Sequence, residues 1–452
     1  MLRLALLSIR FRTPAFLAAF ASMLLGTVIV MSFSSLIDTS RGAGVSVADQ
    51  ENLKTMAMVV GGSGLVIVLF SVTTTLTLAV RQRSAEIALL KSVGATPAQV
   101  RRMIVGEAAI LALVAAALAV PISMLTGRAL MRMLLLADLV AADTPHRFGL
   151  GALGAGVCVT LLASTAAAWL TARRTAQMGV AESLLNATRE QIGLSRKRVV
   201  AGSGFIAIGL SCAAVAALGL GDAEVSIIQI VSGEASLLSA IGLAILSPAL
   251  VRTMTATVAG AIRPLTETSG YLAMLNLRQR PHQMAGSLAP IILLTAVATG
   301  TLYSQSIDNS IVAAGGPLSS DAKGVEALNY TIVAMICTFA AIMVVNSLIA
   351  ATTYRRREFG QQRLVGFTPR QVLLMVGAEG FALTMTGLIL GSIAGLLTVI
   401  PYNIARTDTV LPDVTGGIYV STVILVAVLS FASSLGAAGR AVHTPAVETV
   451  AA

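Results

Sequence analysis

The sequence predicts an all-α polytopic membrane protein, and three observations carry that prediction. Hydrophobic residues make up 56% of the chain and charged residues 12%, against about 25% charged in an ordinary soluble domain. The apolar residues gather into ten segments, about 14–37, 55–80, 104–126, 149–172, 199–220, 227–251, 285–306, 327–352, 374–400 and 415–439. Each is close to the roughly 20 residues that a helix needs to cross a bilayer. Finally, one stretch of chain occurs twice, as duplicated membrane modules would require.

The repeated stretch is Arg83–Glu107, RSAEIALLKSVGATPAQVRRMIVGE, and Arg355–Glu379, RRREFGQQRLVGFTPRQVLLMVGAE. At a constant offset of 272 residues (355 − 83), ten of 25 positions are identical, among them Glu86/Glu358, Gly94/Gly366, Thr96/Thr368, Pro97/Pro369, Gln99/Gln371 and Glu107/Glu379. Lys91 faces Arg363, so a cation is kept there as well. Background composition would give about two matches.

Taken from the start, Arg3, Arg10 and Arg12 precede an apolar run near 15–37. That run is too long for the roughly 7–15-residue core of a signal peptide and reads as a retained first span. The basic segment Ala5–Arg12 resembles Ala273–Arg280 ahead of the seventh apolar segment, the pattern of a helix lying in the inner interface. Spans one to four therefore repeat as spans seven to ten, with two central spans between them, a 4+2+4 layout. Six spans separate equivalent helices, an even number, so the two four-helix units are parallel and related by a pseudo-twofold axis along the membrane normal, unlike an inverted repeat. The expected divisions are 1–175 for the first unit, 176–262 for a linker with the two central spans, and 263–452 for the second unit.

With the first terminus inside, the inner loops hold 24 of the 31 Lys and Arg residues and the outer loops hold seven. This asymmetry fixes the orientation by the positive-inside rule and places both termini in the cytosol. It also accounts for the net charge of +10 without a nucleic-acid partner. The outer loops are too short for a folded domain of about 50 residues or more.

Within the repeat, Arg83 and Glu86 stand at i,i+3, where opposite charges support a helix. Gly94 sits where a glycine ends a helix in the left-handed region. Thr96-Pro97-Ala98-Gln99 is a capping box with proline at the first helical position, and Thr368-Pro369-Arg370-Gln371 repeats it. Each copy, 81–107 and 353–379, is thus a stiff cytosolic hairpin joining two spans, and a force on it moves both.

Glu107 and Glu379 fall just inside the membrane helix that follows each hairpin, where an acid is either functional or paired with a neighbouring arginine. Glu234, in the sixth span, could meet a cationic substrate, carry a proton, or bond to a neighbouring helix. Gly387, Gly391 and Gly395 in the ninth span match Ala115, Ala119 and Ser123 in the third, a small residue every fourth position, which reads as a helix-packing ridge. The run Ser71, Thr73, Thr74, Thr75 and Thr77 reads as backbone and interhelical hydrogen bonding rather than a cavity wall. Cys158, Cys212 and Cys337 all fall in spans, and three histidines lie scattered; neither set suggests a disulfide framework or a metal site. No G-x-x-x-x-G-K-[ST] occurs, and none of the four lysines follows a glycine, so the phosphate-cradling loop of an ATPase is missing and no catalytic residues are assigned.

The pattern R-x-x-E-I/F-x-x-x-K/R-x-x-G-x-T-P-x-Q, followed by a membrane helix with an early glutamate and present twice in register, resembles the signature of the FtsX-like permease family, the membrane subunits of type VII, MacB-like ABC transporters. The resemblance implies that the hairpins dock on a separate ATPase dimer, with ATP and Mg held by that partner and no cofactor in this chain. It assigns ATPase contact to Arg83, Glu86, Lys91, Gly94, Arg355, Glu358, Arg363 and Gly366. The layout is similar to ten-span members associated with antimicrobial-peptide resistance, in a bacterial cytoplasmic membrane. It departs from the family in lacking a large extracytoplasmic domain, so no large external adaptor is expected. The implied activity is export or membrane extraction of a hydrophobic or amphipathic substrate. The rival readings are a mechanotransmitting signalling protein and an ion-coupled secondary transporter.

Overall fold

The computed structural model describes residues 13–82, 84–136, 140–141, 144–177, 195–221, 223, 225–262, 267–279, 281–315, 334, 337–338, 340–345, 347–349, 351–353, 355–410, 416–445 and 447. Among these, the regular structure is helical, with no strand. Among the described residues, eight helices are long and apolar enough to cross a membrane. Two shorter apolar stretches, Gly64–Thr77 and Ala340–Thr353, fall in the expected segments 55–80 and 327–352. The chain divides into two compact units, Met1–Arg189 with Asn309–Ile336, and Glu190–Asp308 with Cys337–Ala452.

The first unit contains α1 (Thr13–Ser40), α2 (Val47–Gln82), α3 (Ser84–Ser92), α4 (Pro97–Leu136) and α5 (Leu150–Gln177). Helix α1 packs on α2, α4 and α5. Gly26 lets α2 approach: a Cβ there would stand 2.5 Å from Val68. Val28 and Met31 of α1 bury against Ala116 and Ala119 of α4. Several hydroxyls are satisfied inside the helices and across them, as apolar surroundings favour. Thr27 donates to the Met23 carbonyl at 2.7 Å and meets Thr160 at 2.6 Å. Thr75 bonds back to Ser71 at 2.7 Å, and Thr77 meets Thr171 at 3.1 Å.

At the end of this unit away from its hairpin, α2 and α4 are helical where loop was expected. A 40-residue helix such as α4 measures about 60 Å, about twice the hydrocarbon thickness of a bilayer. Its last turns carry Leu130, Met131 and Leu134, which bury with Phe33, Leu36, Leu53 and Ala57 of α1 and α2. A strap then crosses back. Asp38 Oδ2 accepts from the Gly149 and Ala152 N–H groups at 2.9 and 2.7 Å, capping the start of α5. Thr39 Oγ1 accepts from the Arg147 N–H at 3.0 Å, and His146 Nε2 lies 3.1 Å from Ser35 Oγ.

The second unit contains α6 (Arg196–Gly219), α7 (Val225–Ile262), α8 (Glu267–Gln279), α9 (Pro281–Ala314), α10 (Arg356–Leu364), α11 (Pro369–Thr407) and α12 (Gly417–His443). The two central helices α6 and α7 belong to it and pack closely through glycine: a Cβ on Gly209 would lie 2.7 Å from the Ala235 carbonyl, and one on Gly242 2.7 Å from that of Gly202. Helix α11 packs on α6, α7, α8 and α12, and Thr398 donates to the Ser232 carbonyl of α7 at 2.8 Å. Ile291, Leu294, Val344, Leu388 and Val426 form the apolar centre.

Candidate functional site

The two hairpins are built by the same local hydrogen bonds. At the end of α3, Gly94 has φ +100, and at the end of α10, Gly366 has φ +106, a region that glycine enters without the Cβ penalty. The Gly94 N–H bonds to the Lys91 carbonyl and the Ala95 N–H to that of Leu90, both at 3.0 Å; Gly366 to Arg363 and Phe367 to Gln362 repeat the pattern at 3.1 Å. This is the Schellman closure of a helix end. The next helix opens at once. The Thr96 N–H donates to Gln99 Oε1 at 2.9 Å while the Gln99 N–H donates to Thr96 Oγ1 at 3.3 Å. Thr368 and Gln371 repeat both bonds at the same distances. Pro97 and Pro369 begin α4 and α11, where a missing N–H costs nothing.

What these turns present is apolar. Leu89 and Val93 in the first hairpin, and Leu364 and Val365 in the second, are exposed, Val93 at 84% and Val365 at 83%. They lie beyond the apolar helices rather than on their lipid-facing sides, so a solvent-facing apolar tip is left on each hairpin, the kind of surface that marks a protein contact. Lys91 stands beside the first tip, and partial burial lowers its pKa.

Behind the second tip lies a buried ion network. Arg355 caps α10 at φ −83, ψ 6, so the helix does not run unbroken through it. Its guanidinium grips Glu379 with both terminal nitrogens: Nη2 donates to Oε1 at 3.1 Å, and Nη1 bonds to Oε2. Its Nε reaches Glu358 at 3.3 Å, and its charge centre lies 5.3 Å from the ring of buried Phe359. Asn276 of α8 adds a bond to Glu379 Oε1 at 2.7 Å. Burial works against the charged guanidinium, but the charges and hydrogen bonds of Glu379 and Glu358 together raise the pKa of Arg355. Arg355 and Glu379 together thus join α8, α10 and α11.

Arg363 points inward, not outward. Its Nη1 donates to the Val442 and Thr444 carbonyls at 2.7 Å each, at the end of α12, and Arg356 Nη2 reaches Thr444 Oγ1 at 2.7 Å. In the first hairpin, Glu107 is buried at 2% exposure and the backbone of Glu86 lies in α3; Arg83 lies outside the described residues.

The glycine ridge is a close helix contact. A Cβ on Gly387 would lie 2.4 Å from Ile291, one on Gly391 2.5 Å from Thr295, and one on Gly395 3.2 Å from Thr299, all on α9. In the first unit Ala115, Ala119 and Ser123 are fully buried, and Ser123 Oγ lies 3.5 Å from Met31 Sδ of α1. Glu234 is half-buried in α7, and no hydrogen bond or ion pair to it is found among the described residues. Sequence reasoning passed over a further polar group near the far end of α11. The Tyr402 hydroxyl lies 2.7 Å from both Asp308 carboxylate oxygens, and Arg406 Nε lies 3.5 Å from one of them. Asp308 lies on α9, 94 residues before Tyr402, so no local signal shows the pairing.

Fold and site together define a multi-pass membrane protein carrying a duplicated unit of membrane helix, capped hairpin and membrane helix. A family model described as the FtsX-like permease C-terminal region matches the chain twice, over residues 58–176 and 330–446, just over half its length. The chain belongs to the FtsX-like permease family. Members are membrane components rather than ATPases themselves, and generally partner an ABC ATPase in a membrane complex. No curated protein matches the chain significantly.

Proposed function

We propose that this chain is the permease subunit of an ABC transporter, with ten spans arranged 4+2+4 and a pseudo-twofold axis along the membrane normal. An ATPase dimer docks on the two hairpins from the cytosol, binding ATP and Mg in its own sites. Closure of that dimer draws the hairpins together and moves the helices they join, exporting or extracting a hydrophobic or amphipathic substrate such as an antibiotic, peptide or lipid. The protein resides in a bacterial cytoplasmic membrane with both termini inside.

The single observation that carries this reading is the exposed apolar tip on each of two hairpins with the same capping bonds. Apolar side chains held out by a rigid turn, beyond the apolar helices, are suited to burial in a partner. Lys91, Gly94, Glu358 and Gly366 belong to this docking surface with Leu89, Val93, Leu364 and Val365. Arg363 and Arg355 act behind it. Absence of an external domain favours cargo that enters from the bilayer.

The test is co-expression with the ATPase encoded nearest to it, followed by purification in lipid nanodiscs. A stable complex whose ATP hydrolysis is stimulated by lipophilic peptides supports the proposal. A permease that never retains the ATPase, in detergent or in lipid, refutes it.

A further inference from the structure

The surface of α7 changes character along its length. One side, marked by Ile228, Ser232, Ala235 and Ser239, is buried. There the Ala235 carbonyl faces Gly209 of α6, and the Ser232 carbonyl accepts from Thr398 of α11. On a second side, Leu237, Ala240, Ile241 and Ala244 are also buried, each at 5% exposure or less. Three to four residues earlier on that same face, Ile230, Gly233 and Glu234 are only half-buried, as is Gln229 one turn before Gly233. A Cβ on Gly233 would meet no atom within 4 Å, so open space adjoins the acid. The face thus falls away into a recess with Glu234 at its foot.

The recess opens toward the end of α7 remote from the second hairpin. Thr398, level with Ser232, lies 29 residues (398 − 369) along α11 from Pro369, about 44 Å at the helical rise. Glu234 is the one charged residue of the apolar stretch Ile227–Val251. Of the roles its position allows, a bond to a neighbouring helix is not found among the described residues. A carboxylate at membrane depth is costly unless a cation meets it.

We propose that this recess binds the positive head of a lipophilic cation, an ammonium or guanidinium on an apolar body, with Glu234 as its counter-charge. Gln229 and the bare backbone of Gly233 line the approach, and Ile227, Ile230 and Val231 offer apolar surface to the body. A neutral molecule of the same shape leaves the carboxylate unpaired, and an anion is repelled, so the site selects by charge. The recess stands on the packing of α7. That its occupant is cargo rests on the permease reading above, which it narrows to cationic amphipaths.

The experiment uses the full chain alone in nanodiscs of zwitterionic lipid, with empty nanodiscs as the baseline. The probe is octanediamine carrying a dansyl group at one end and a free ammonium at the other; its acetylated form is the neutral control. The native chain should bind the ammonium form at least about tenfold more tightly than the acetylated form. E234Q should lose that preference, E234D should keep part of it, and G233L, which fills the recess, should weaken both forms. E234Q should melt no lower than the native chain, as expected of a carboxylate that holds no helix. Equal affinity of native and E234Q chains for the ammonium form overturns the proposal. So does a native chain that does not distinguish the two forms, or an E234Q chain that loses both equally, as a disturbed fold would. Failure of the permease reading shows separately, as an ATPase not retained by a native chain that still binds the ammonium form.

Discussion

Arg355 and Glu379, twenty-four residues apart, are joined through both terminal guanidinium nitrogens in a site where each is largely buried. Removing one partner of such a pair strands the other charge, at about 3–5 kcal/mol. The two single losses are unequal. Glu379→Ala leaves Arg355 with Glu358, whereas Arg355→Ala leaves Glu379 with Asn276 alone among the groups described here. Arg355→Ala should therefore lower the melting temperature of the purified protein more than Glu379→Ala. Arg355→Met with Glu379→Leu should recover most of the loss. A double variant as unstable as Arg355→Ala would show that the pair acts by charge rather than by packing.

The glycine ridge predicts a steep contrast between two glycines of α11, Gly391 and Gly377. A Cβ on Gly391 would meet Thr295 at 2.5 Å and the Ile292 carbonyl at 2.8 Å, so Gly391→Ala forces α9 and α11 apart. The expected loss is about 1–3 kcal/mol. At Gly377, on the same helix, the nearest atom would be 3.7 Å away, so Gly377→Ala should be neutral or gain up to about 1 kcal/mol from helix propensity. Melting of the two variants side by side reads this directly; equal effects would mean that the ridge is not a tight contact.

Val93→Asp with Val365→Asp should abolish retention of the ATPase subunit without changing the melting temperature of the permease. Burying a valine contributes about 1.5–3 kcal/mol, so each substitution should weaken association at least about tenfold. Retained association after both changes would move the docking surface away from the tips.

His146 makes the first unit sensitive to acid. Its pKa is lowered, first by partial burial and then by the nearby positive Arg128, so the folded state favours the neutral ring. The folded value lies below the unfolded one near 6.5, and the unfolded chain binds more protons between the two. Stability from this group is therefore fully present above about pH 6.5 and is lost as pH falls through that value toward the folded pKa. The melting temperature should drop on acidification from pH 7.5 to 5, and His146→Gln should flatten that dependence. An unchanged slope in the variant would assign the acid response elsewhere.

The ease of reading this sequence followed the range of the interactions. The Schellman closures at Gly94 and Gly366 and the capping boxes at Thr96 and Thr368 lie within six residues of chain, so residue identity and spacing were enough to place them. The ridge at Gly387, Gly391 and Gly395 was legible for a similar reason, since helical period alone puts those residues on one face. Arg363 was not: its acceptors are the carbonyls of residues 79 and 81 positions away, and carbonyls have no side-chain identity to read. The resemblance pointed Arg363 toward a partner, and only the packing of α10 on α12 shows what it holds. The capping of α5 by Asp38, 111 residues before Gly149, was hidden in the same way. The start of α2 and the end of α4 read as loop because they are more polar than the apolar segments beside them, although the helices continue through them.

The length of α11 has a consequence of its own. Its 39 residues make a rod about 60 Å long, gripped at Gly387, Gly391 and Gly395, roughly 27–39 Å from Pro369. A rod that tilts about a point near its middle carries its two ends in opposite directions. A tilt of about 5° over arms of about 30 Å carries each end through about 2.5 Å, enough to shift contacts between packed side chains. An inward pull beneath Thr368 would then appear on the far side of the bilayer as an outward swing of Tyr402 and Arg406.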